Sequence, residues 1–341
     1  MPLAARHRRV GPELPYGIDD LDALVRVVSQ RPRTVRCYVR GCEQELETPR
    51  RGHAGTVCPE HGVYCHHSSV GSTYNYRDVR RNIIASPDLF AHGIVGHPFK
   101  YESHRLGLER SEDTLSWNVF RSFAEAGQLA RVAQAITGTT LTHEPHLYLW
   151  GISACDDDFL PWPLLEAARE RFESNLPVDR PLTEPDIALH LPGKYLILIE
   201  ATFTSPNTFY QHGPRTKKDS LTLAELLSIY RDNDLRILDH ARAEQAHRVA
   251  YQLWRNTVFA EWMARQDHPR TMAYHVNLVR SGYESDTAAE FAELVTEDHL
   301  DRFDRLTWER LYELAEGVRG LERLRRYLET KTAGLIKAFR V

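Results

Sequence analysis

The pattern of apolar and polar positions becomes regular at Ser111, where a helix is predicted to begin. Ser111 is a residue type that favours helix N-caps, and the two acids that follow it suit the positive end of the helix dipole. Apolar residues then recur at helical spacing, namely Leu115, Val119, Phe120 and Phe123. Gly138 ends the segment as a residue type common after a last helical turn.

Strand-like and helical patterns alternate after this helix. They predict a strand over 146–153, a helix over 164–172, strands over 186–191 and 195–203, a long helix over 235–266, a strand over 271–279, and helix in the last 35 residues. The turn Leu191-Pro192-Gly193-Lys194 joins two of these strands into a hairpin. The order of helix, strand, strand, strand, helix and strand predicts a mixed α/β fold, because helices must cover the faces of the sheet.

The part of the chain before Ser111 shows little apolar periodicity beyond an amphipathic segment at 19–29. We therefore divide the chain by its composition. The predicted regions are an N-terminal segment (1–30), a Cys/His region (31–75), a connector rich in His, Pro and Gly (76–110), an α/β core (111–285) and a C-terminal helical extension (286–341).

The composition limits what the protein can bind and where in the cell it is expected. The chain has 341 residues, of which 42% are hydrophobic, so it suits two or three packed units. Its formal charge of -4 excludes a strongly basic coat, so nucleic-acid contact would need a local basic patch. Most of the 43 basic residues are Arg, which suits phosphate recognition but also follows from codon bias. Without an apolar run of about 18 residues or a signal peptide, we expect a cytoplasmic protein with no membrane contact.

The cysteines predict a metal site. Four of the five Cys lie between residues 37 and 65, and disulfides are rare in a reducing cytoplasm. The pairs Cys37-x4-Cys42 and Cys58-x2-His61 have the spacing of a zinc ribbon, with a structural Zn2+ held by four ligands. Cys65 is an alternative fourth ligand, but His61 forms the tighter knuckle with Cys58. Free thiols packed in a small core are the plain alternative.

Arginines surround the Cys/His region and could neutralise phosphates, although a solvated basic face explains them nearly as well. They are Arg31, Arg33, Arg36, Arg40, Arg50 and Arg51.

Two carboxylates stand on adjacent strands of the predicted hairpin. Asp186 begins one strand and Glu200 lies near the end of the other, after the apolar run Tyr195-Leu-Ile-Leu-Ile. A buried acid is costly unless it is solvated or bound to a cation. Carboxylates are the hard oxygen ligands that Mg2+ prefers, so the pair predicts a divalent-metal site. The alternative is a pair of strand-end carboxylates at the surface.

At this point the residues resemble a known family. Pro185-Asp186, Glu200-Ala201-Thr202 after an apolar strand, and Glu112 in the first core helix look like the motifs of the PD-(D/E)xK nuclease superfamily. The helix start Ser111-Glu112-Asp113 and the run Tyr251-Gln252-Leu253-Trp254-Arg255-Asn256 resemble those of bacterial restriction-endonuclease-like proteins with an N-terminal zinc ribbon. The resemblance extends from Arg31 to the C-terminus. It implies an αβββαβ restriction-endonuclease-like core with a mixed sheet, a zinc ribbon before it and helices after it.

The resemblance also assigns roles to individual residues. Asp186 and Glu200 would bind Mg2+ or Mn2+, with the Ala201 carbonyl as a third ligand. Glu112 would add a carboxylate or hold a metal-bound water, and Gln252 would face the site. The implied activity is metal-dependent DNA endonuclease chemistry in restriction, phage defence or mobile-element biology. The oligomeric state is left open, with a homodimer as one option.

One position departs from the family pattern. Thr202 stands where the family has Lys, and a hydroxyl cannot replace a cation electrostatically. Another cation could take its place, with Lys217, Lys218 and Arg215 as candidates and Lys194 less suited at the far end of the strand. Thr202 could instead suffice with two metal ions.

The third reading of Thr202 is that the site has lost catalysis and kept binding. The alternative function is then a non-catalytic nucleic-acid-binding or scaffolding module. A weaker option is a zinc-ribbon regulatory protein whose α/β part dimerises.

Overall fold

The structure is a computed structural model that describes most of the chain after residue 32. The described residues are 33–39, 41–50, 52, 54–66, 73–90, 94, 103–155, 158–176, 182–204, 207, 209–211, 222–232, 234–282 and 285–341. The amphipathic segment predicted at 19–29 lies outside them. The chain forms two compact units, Met1–Ser122 with Ala315–Val341, and Phe123–Leu314.

The strands and helices are numbered in chain order. The strands are β1 (Thr34–Arg36), β2 (Glu45–Glu47), β3 (Val63–Cys65), β4 (Tyr74–Tyr76), β5 (His146–Leu149), β6 (Ile152–Ser153), β7 (Ile187–Leu191), β8 (Tyr195–Ala201), β9 (Phe209–Gln211), β10 (Arg248–Ala250), β11 (Met272–Val279), β12 (Phe303–Thr307), β13 (Thr332–Ala333) and β14 (Ile336–Lys337). The helices are α1 (Pro87–Leu89), α2 (Ser103–Leu106), α3 (Glu112–Glu125), α4 (Leu129–Thr137), α5 (Pro163–Glu173), α6 (Leu223–Ile229), α7 (His240–Gln245), α8 (Tyr251–Asp267), α9 (Ser285–Ala292), α10 (Trp308–Leu314) and α11 (Glu322–Thr330).

The second unit is built on a six-stranded mixed sheet in the order β12-β11-β8-β7-β5-β6. The strands β12, β11 and β8 run parallel, whereas β8, β7, β5 and β6 pair antiparallel. The β7–β8 hairpin forms as predicted, with Lys194 N–H donating to the Leu191 carbonyl over 3.0 Å and Gly193 at φ +70°. The mixed α/β class expected from the sequence is therefore confirmed.

The strand β8 lies in the middle of this sheet, and every one of its seven residues is buried. Its apolar run fits a strand that is covered on both faces. Leu196 and Leu198 share a hydrophobic core with residues of α5 and α8, whose contacts with each other and with the sheet cover one face. Since residues alternate across a strand, Glu200 belongs to the same face as Leu196 and Leu198.

The predicted first core helix is two helices. Ser111 is the N-cap as expected, because its Oγ accepts the Thr114 N–H over 3.2 Å. The helix α3 ends at Glu125, where Gly127 takes φ +61°. After this turn α4 continues to Gly138, which caps it in the left-handed conformation.

Two other predictions of continuous helix are wrong. Within the helix predicted over 235–266, residues 248–250 form β10, which pairs antiparallel with β9. In the predicted C-terminal helical extension, residues 303–307 form β12, which pairs in parallel with β11 at the edge of the main sheet. Both β10 and β12 are short and depend on partners elsewhere in the chain, so local periodicity does not reveal them. Within the last 35 residues, which the sequence predicts as helix, β13 and β14 form a short antiparallel hairpin.

Three small antiparallel sheets lie among the described residues of the first unit, namely β1–β2, β3–β4 and β13–β14. Their core includes Val35, Leu46 and Val63, and Leu335 from the C-terminal end of the chain packs into it. Buried Glu109 accepts hydrogen bonds from Thr332 Oγ1 and from the Gly334 N–H over 3.0 Å. The C-terminal residues are therefore part of the same core as the cysteines.

The segment predicted as a connector carries buried contacts of its own. Asn118 in α3 donates to the Asn82 carbonyl and accepts the Ile84 N–H, each over 2.9 Å. Trp117 Nε1 donates to the Ala85 carbonyl over 2.8 Å. Residues 82–85 are thus held against α3 within the first unit.

Among the described helices, none combines the length and the apolar character that a membrane crossing requires.

His275 in β11 makes the stability of the second unit depend on pH. The side chain is fully buried, and burial lowers its pKa from the ordinary value of 6.5 to about 3. Between these values the unfolded chain binds more protons, so stability is lost as the pH falls from 6.5 toward 3. We expect the free energy of unfolding to drop by about 3 kcal/mol between about pH 7 and pH 4 from this residue alone.

This expectation is checked by denaturant unfolding of the wild type and His275→Gln across that pH range. His275→Gln should show a flatter pH dependence, whatever its absolute stability. His143→Gln is the matched control, since His143 is exposed and, within the described part of the chain, hydrogen-bonds only its neighbour Thr142. Equal slopes in the wild type and His275→Gln would contradict the assignment.

Candidate metal centre and acidic site

The predicted cysteine and histidine ligands converge in the first unit. Cys42 Sγ lies 3.8 Å from Cys58 Sγ, and His61 Nδ1 lies 3.7 Å from Cys37 Sγ and 3.5 Å from Cys58 Sγ. One ligand atom from each of the four residues falls within 4.8 Å of all the others. These residues form a Cys3His cluster.

Two backbone turns present the ligands. In the first, Cys37 N–H donates to the Gln44 carbonyl over 2.8 Å, and Cys42 N–H to the Val39 carbonyl over 3.2 Å. In the second, Gly62 N–H donates to the Cys58 carbonyl over 2.8 Å, with Gly62 at φ +64°. That conformation favours glycine and brings His61 back toward Cys58.

Cys65, the alternative fourth ligand, lies outside the cluster. It is buried at the end of β3, and its Sγ is 3.7 Å from the His66 carbonyl. His61 is held in the cluster instead, because Arg81 Nη1 donates to its carbonyl oxygen while the Arg81 guanidinium lies 4.9 Å over the Tyr76 ring.

The donor set fits a soft divalent metal. Burial raises the pKa of the Cys37 and Cys42 thiols, and the neighbouring Cys58 raises both further. Three thiols this close oppose one another's ionisation, whereas a bound cation reverses that balance and deprotonates them. Three sulfurs and one imidazole nitrogen are a typical structural zinc set, so the cluster could bind a structural metal such as zinc.

The basic residues near the cluster are described only in part. Arg33, Arg36 and Arg50 are exposed, and Arg36 makes a surface ion pair with Glu43 over 3.3 Å. The other arginines predicted for this patch, Arg31, Arg40 and Arg51, lie outside the described residues.

Asp186 and Glu200 are brought together in the second unit by the register of the β7–β8 hairpin. Ile187 pairs with Ile199, so Asp186 and Glu200 are the next two opposed positions and share one face of the sheet. Asp186 is half-buried, and its Oδ2 accepts the Ala201 N–H over 2.9 Å. Glu200 is 4% exposed. Continuing the register by one residue therefore sets the two predicted acids opposite each other at the same end of the hairpin.

The helix α8 supplies hydrogen-bond donors to both oxygens of Glu200. Gln252 Nε2 donates to Oε1 and Asn256 Nδ2 donates to Oε2, each over 2.6 Å. Gln252 was predicted to face the site, whereas Asn256 was not recognised. The signal for Asn256 was its position four residues after Gln252, which places both side chains on one strip of the helix.

A third amide residue lies on the other side of Glu200. Asn277 in β11 is the parallel register partner of Glu200 and is fully buried. It accepts a hydrogen bond from Asn207 Nδ2 over 3.2 Å. Among the described residues, neither Asn277 Nδ2 nor Asn256 Oδ1 has a hydrogen-bond partner. One amide donor and one amide acceptor close to Glu200 are therefore left without a hydrogen bond among the described residues.

Thr202 is buried directly after β8, and both its backbone N–H and its carbonyl form hydrogen bonds. Its N–H donates to the Leu278 carbonyl over 2.8 Å, and its carbonyl accepts Trp308 Nε1 over 3.0 Å. None of the basic residues expected to replace the lysine of the nuclease pattern is found near Thr202 among the described residues. Lys194 is exposed in the turn at the opposite end of β8, and Arg215, Lys217 and Lys218 lie outside the described residues.

The third acid expected at the site, Glu112, belongs to the other of the two units. Glu112 is the first residue of α3, is half-buried, and belongs to the first unit, whereas Asp186 and Glu200 belong to the second. Its expected role stays a prediction.

A buried network of polar side chains begins at Tyr251 on α8, on the strip of the helix next to Gln252 and Asn256. Tyr251 and Tyr230 share a hydroxyl–hydroxyl hydrogen bond of 3.1 Å, and Tyr230 donates to Glu173 over 2.7 Å. The Arg255 guanidinium lies 5.2 Å from the centre of the Tyr251 ring. No local pattern in the sequence predicts this network, because its members come from three separate helical segments.

The oxygens around Glu200 belong to carboxylate and amide side chains. Two carboxylates stand together, and the buried Asn256 Oδ1 adds an amide oxygen with no partner among the described residues. Oxygen ligands of this kind suit Mg2+ and Mn2+. Comparisons of the chain with family models, with curated proteins and with solved structures gave no match.

Proposed function

We propose that this protein is a metal-dependent DNA endonuclease of the PD-(D/E)xK type, using Mg2+ or Mn2+. The observation that carries the proposal is the opposition of Asp186 and Glu200 across the β7–β8 hairpin on one face of the sheet. A strand-end acid pair beside further polar side chains is the arrangement that a metal-assisted phosphodiesterase needs.

Asp186 and Glu200 would hold the metal ion, with the Ala201 carbonyl as a further ligand. When bound, a divalent metal polarises the phosphate and lowers the pKa of a coordinated water. Gln252 and Asn256 fix the orientation of the Glu200 carboxylate by donating to one oxygen each. The Ala201 N–H fixes Asp186 in the same way. Both acids are thereby preorganised before substrate arrives.

A plasmid-nicking assay tests the proposal. Supercoiled DNA should be converted to open-circular or linear product by the purified full chain with Mg2+ or Mn2+, and EDTA should stop the reaction. Absence of cleavage with either metal, by protein that is folded and binds DNA, would contradict the nuclease assignment.

A second candidate function is a non-catalytic nucleic-acid-binding module. It is favoured by Thr202 at the position of the family lysine, and by the amide donors that already occupy both Glu200 oxygens. In that case DNA binding should persist in Glu200→Ala, and the wild type should show no cleavage.

We further propose that the Cys3His cluster binds a structural Zn2+, as in a zinc ribbon that helps to grip DNA. The support is the donor set within 4.8 Å together with the exposed Arg33, Arg36 and Arg50 nearby in sequence. The ribbon has no position for substrate, because four protein ligands complete a tetrahedral zinc shell.

A further inference from the structure

Arg255 is a cation that forms no ion pair with the described residues, although polar side chains lie around it. The structure gives it no hydrogen bond or ion pair with any described residue, and its Nε is buried without a hydrogen-bond partner. The residue as a whole is half-buried and not fully enclosed. An arginine with unused donors in such a place has capacity for a ligand.

Arg255 lies on α8 between two residues that contact Glu200 of the acid pair. Gln252 and Asn256, which bracket it in sequence, both donate to Glu200. One helical turn separates Arg255 from Tyr251, whose ring lies under the guanidinium at 5.2 Å. Arg255 and Tyr251 therefore occupy the strip of the helix next to the one that contacts Glu200.

The charges around Arg255 favour a protonated guanidinium. Burial alone would lower the pKa of Arg255, but Tyr251, Tyr230, Glu200 and Glu173 together raise it above its ordinary value. An arginine whose only role was to neutralise Glu200 or Glu173 would be expected to bond one of them directly. Glu173 instead accepts from Tyr230 and Thr183, and Glu200 from the two amides.

We propose that the Arg255 guanidinium binds a backbone phosphate of the nucleic acid beside the Asp186–Glu200 pair. This inference rests on the proposed function for the identity of the anion. Two carboxylates repel an approaching phosphodiester, and a guanidinium fork offsets that repulsion with two parallel hydrogen bonds. Tyr251 orients the fork from below through its ring face.

The test measures binding separately from cleavage. A fluorescent DNA duplex is titrated with the full chain at several salt concentrations, in the presence of Ca2+ to limit cleavage. Arg255→Gln should weaken binding roughly 10- to 100-fold and reduce the salt slope by about one. Arg255→Lys should keep the salt slope but weaken binding several-fold, because the fork is lost.

Arg265→Gln is the matched control. Arg265 lies on the same helix and has the same charge, but it is exposed and already paired with Glu261 over 2.8 Å. It should bind DNA as the wild type does. Unchanged affinity and salt slope in folded Arg255→Gln would overturn the proposal. If that variant does not fold, unchanged affinity in Arg255→Lys would overturn it.

The outcomes separate this inference from the proposed cleavage. If the wild type does not cut plasmid but Arg255→Gln lowers both affinity and salt slope, the nuclease assignment fails and the phosphate contact stands. If the wild type cuts and Arg255→Gln binds and cuts equally well, the phosphate contact fails and the nuclease assignment stands.

Discussion

Cys58→Ala is expected to remove the metal from the first unit and to unfold its Cys/His region. Cys58 Sγ lies within 3.8 Å of both Cys42 Sγ and His61 Nδ1, so its loss leaves no complete ligand set. Structural Zn2+ contributes about 10 kcal/mol or more in small zinc domains, which is as large as the stability of a typical domain. The measurement is zinc content by elemental analysis, together with thermal unfolding with and without a chelator.

Cys65→Ala is the matched control for this prediction. Cys65 is as buried as Cys58 and lies a few residues away, but it is not a member of the cluster. It should retain one zinc per chain and lose only the packing of one sulfur, about 1–2 kcal/mol. Loss of zinc in Cys65→Ala, or one zinc retained in Cys58→Ala, would contradict the ligand set.

Asp186→Asn is expected to abolish DNA cleavage while the protein stays folded. Asn keeps an oxygen that can accept the Ala201 N–H, so the local hydrogen bond survives. It removes the negative charge that would hold the metal ion. Loss of metal-assisted charge stabilisation of about 4 kcal/mol corresponds to a rate decrease of about 10³-fold. The measurement is the rate of plasmid nicking at saturating Mg2+ and Mn2+.

Glu200→Gln should lose cleavage to the same extent, with an additional structural effect. A Gln side chain offers one acceptor oxygen, so it cannot accept from both Gln252 and Asn256 as Glu200 does. One amide donor is left unsatisfied in a buried place, and we expect a stability loss of about 1–3 kcal/mol. Asp186→Asn is therefore the cleaner of the two variants.

The other end of the same hairpin supplies the control. Asp267 Oδ2 accepts the Gly193 N–H over 3.0 Å, as Asp186 accepts that of Ala201. Asp267→Asn also removes one negative charge from an aspartate that accepts a backbone N–H, but it does so at the opposite end of the hairpin from the proposed site. It should leave the nicking rate unchanged. If Asp186→Asn cleaves DNA at the wild-type rate, the acid pair has no part in the mechanism.

Features that depend on near neighbours in the chain were predictable. The N-cap at Ser111, the Leu191–Lys194 turn and the apolar strand before Glu200 each follow from a few consecutive residues. The spacing of Cys37, Cys42, Cys58 and His61 belongs to the same class, because each pair is brought together by one short turn.

Features that depend on distant partners were not predictable. The strands β10 and β12 were read as helix, because their pairing with β9 and β11 is decided by tertiary structure. Asn277 carries no local signal for the acidic site and reaches it through the parallel register with Glu200. The environment of Arg255 is assembled from α5, the residue after α6, and α8.

The amino-acid order alone determined which residue types carry chemistry and which short turns present them. Glycine at the knuckles, an apolar run ending in Glu200 and a helix carrying Gln252 are local properties of the chain. Only the tertiary structure decided that Asp186 opposes Glu200 on one face, and that His61 rather than Cys65 joins the cysteines. The physical reason is that strand register and side-chain convergence arise when distant segments pack together, and no short stretch of sequence encodes that packing.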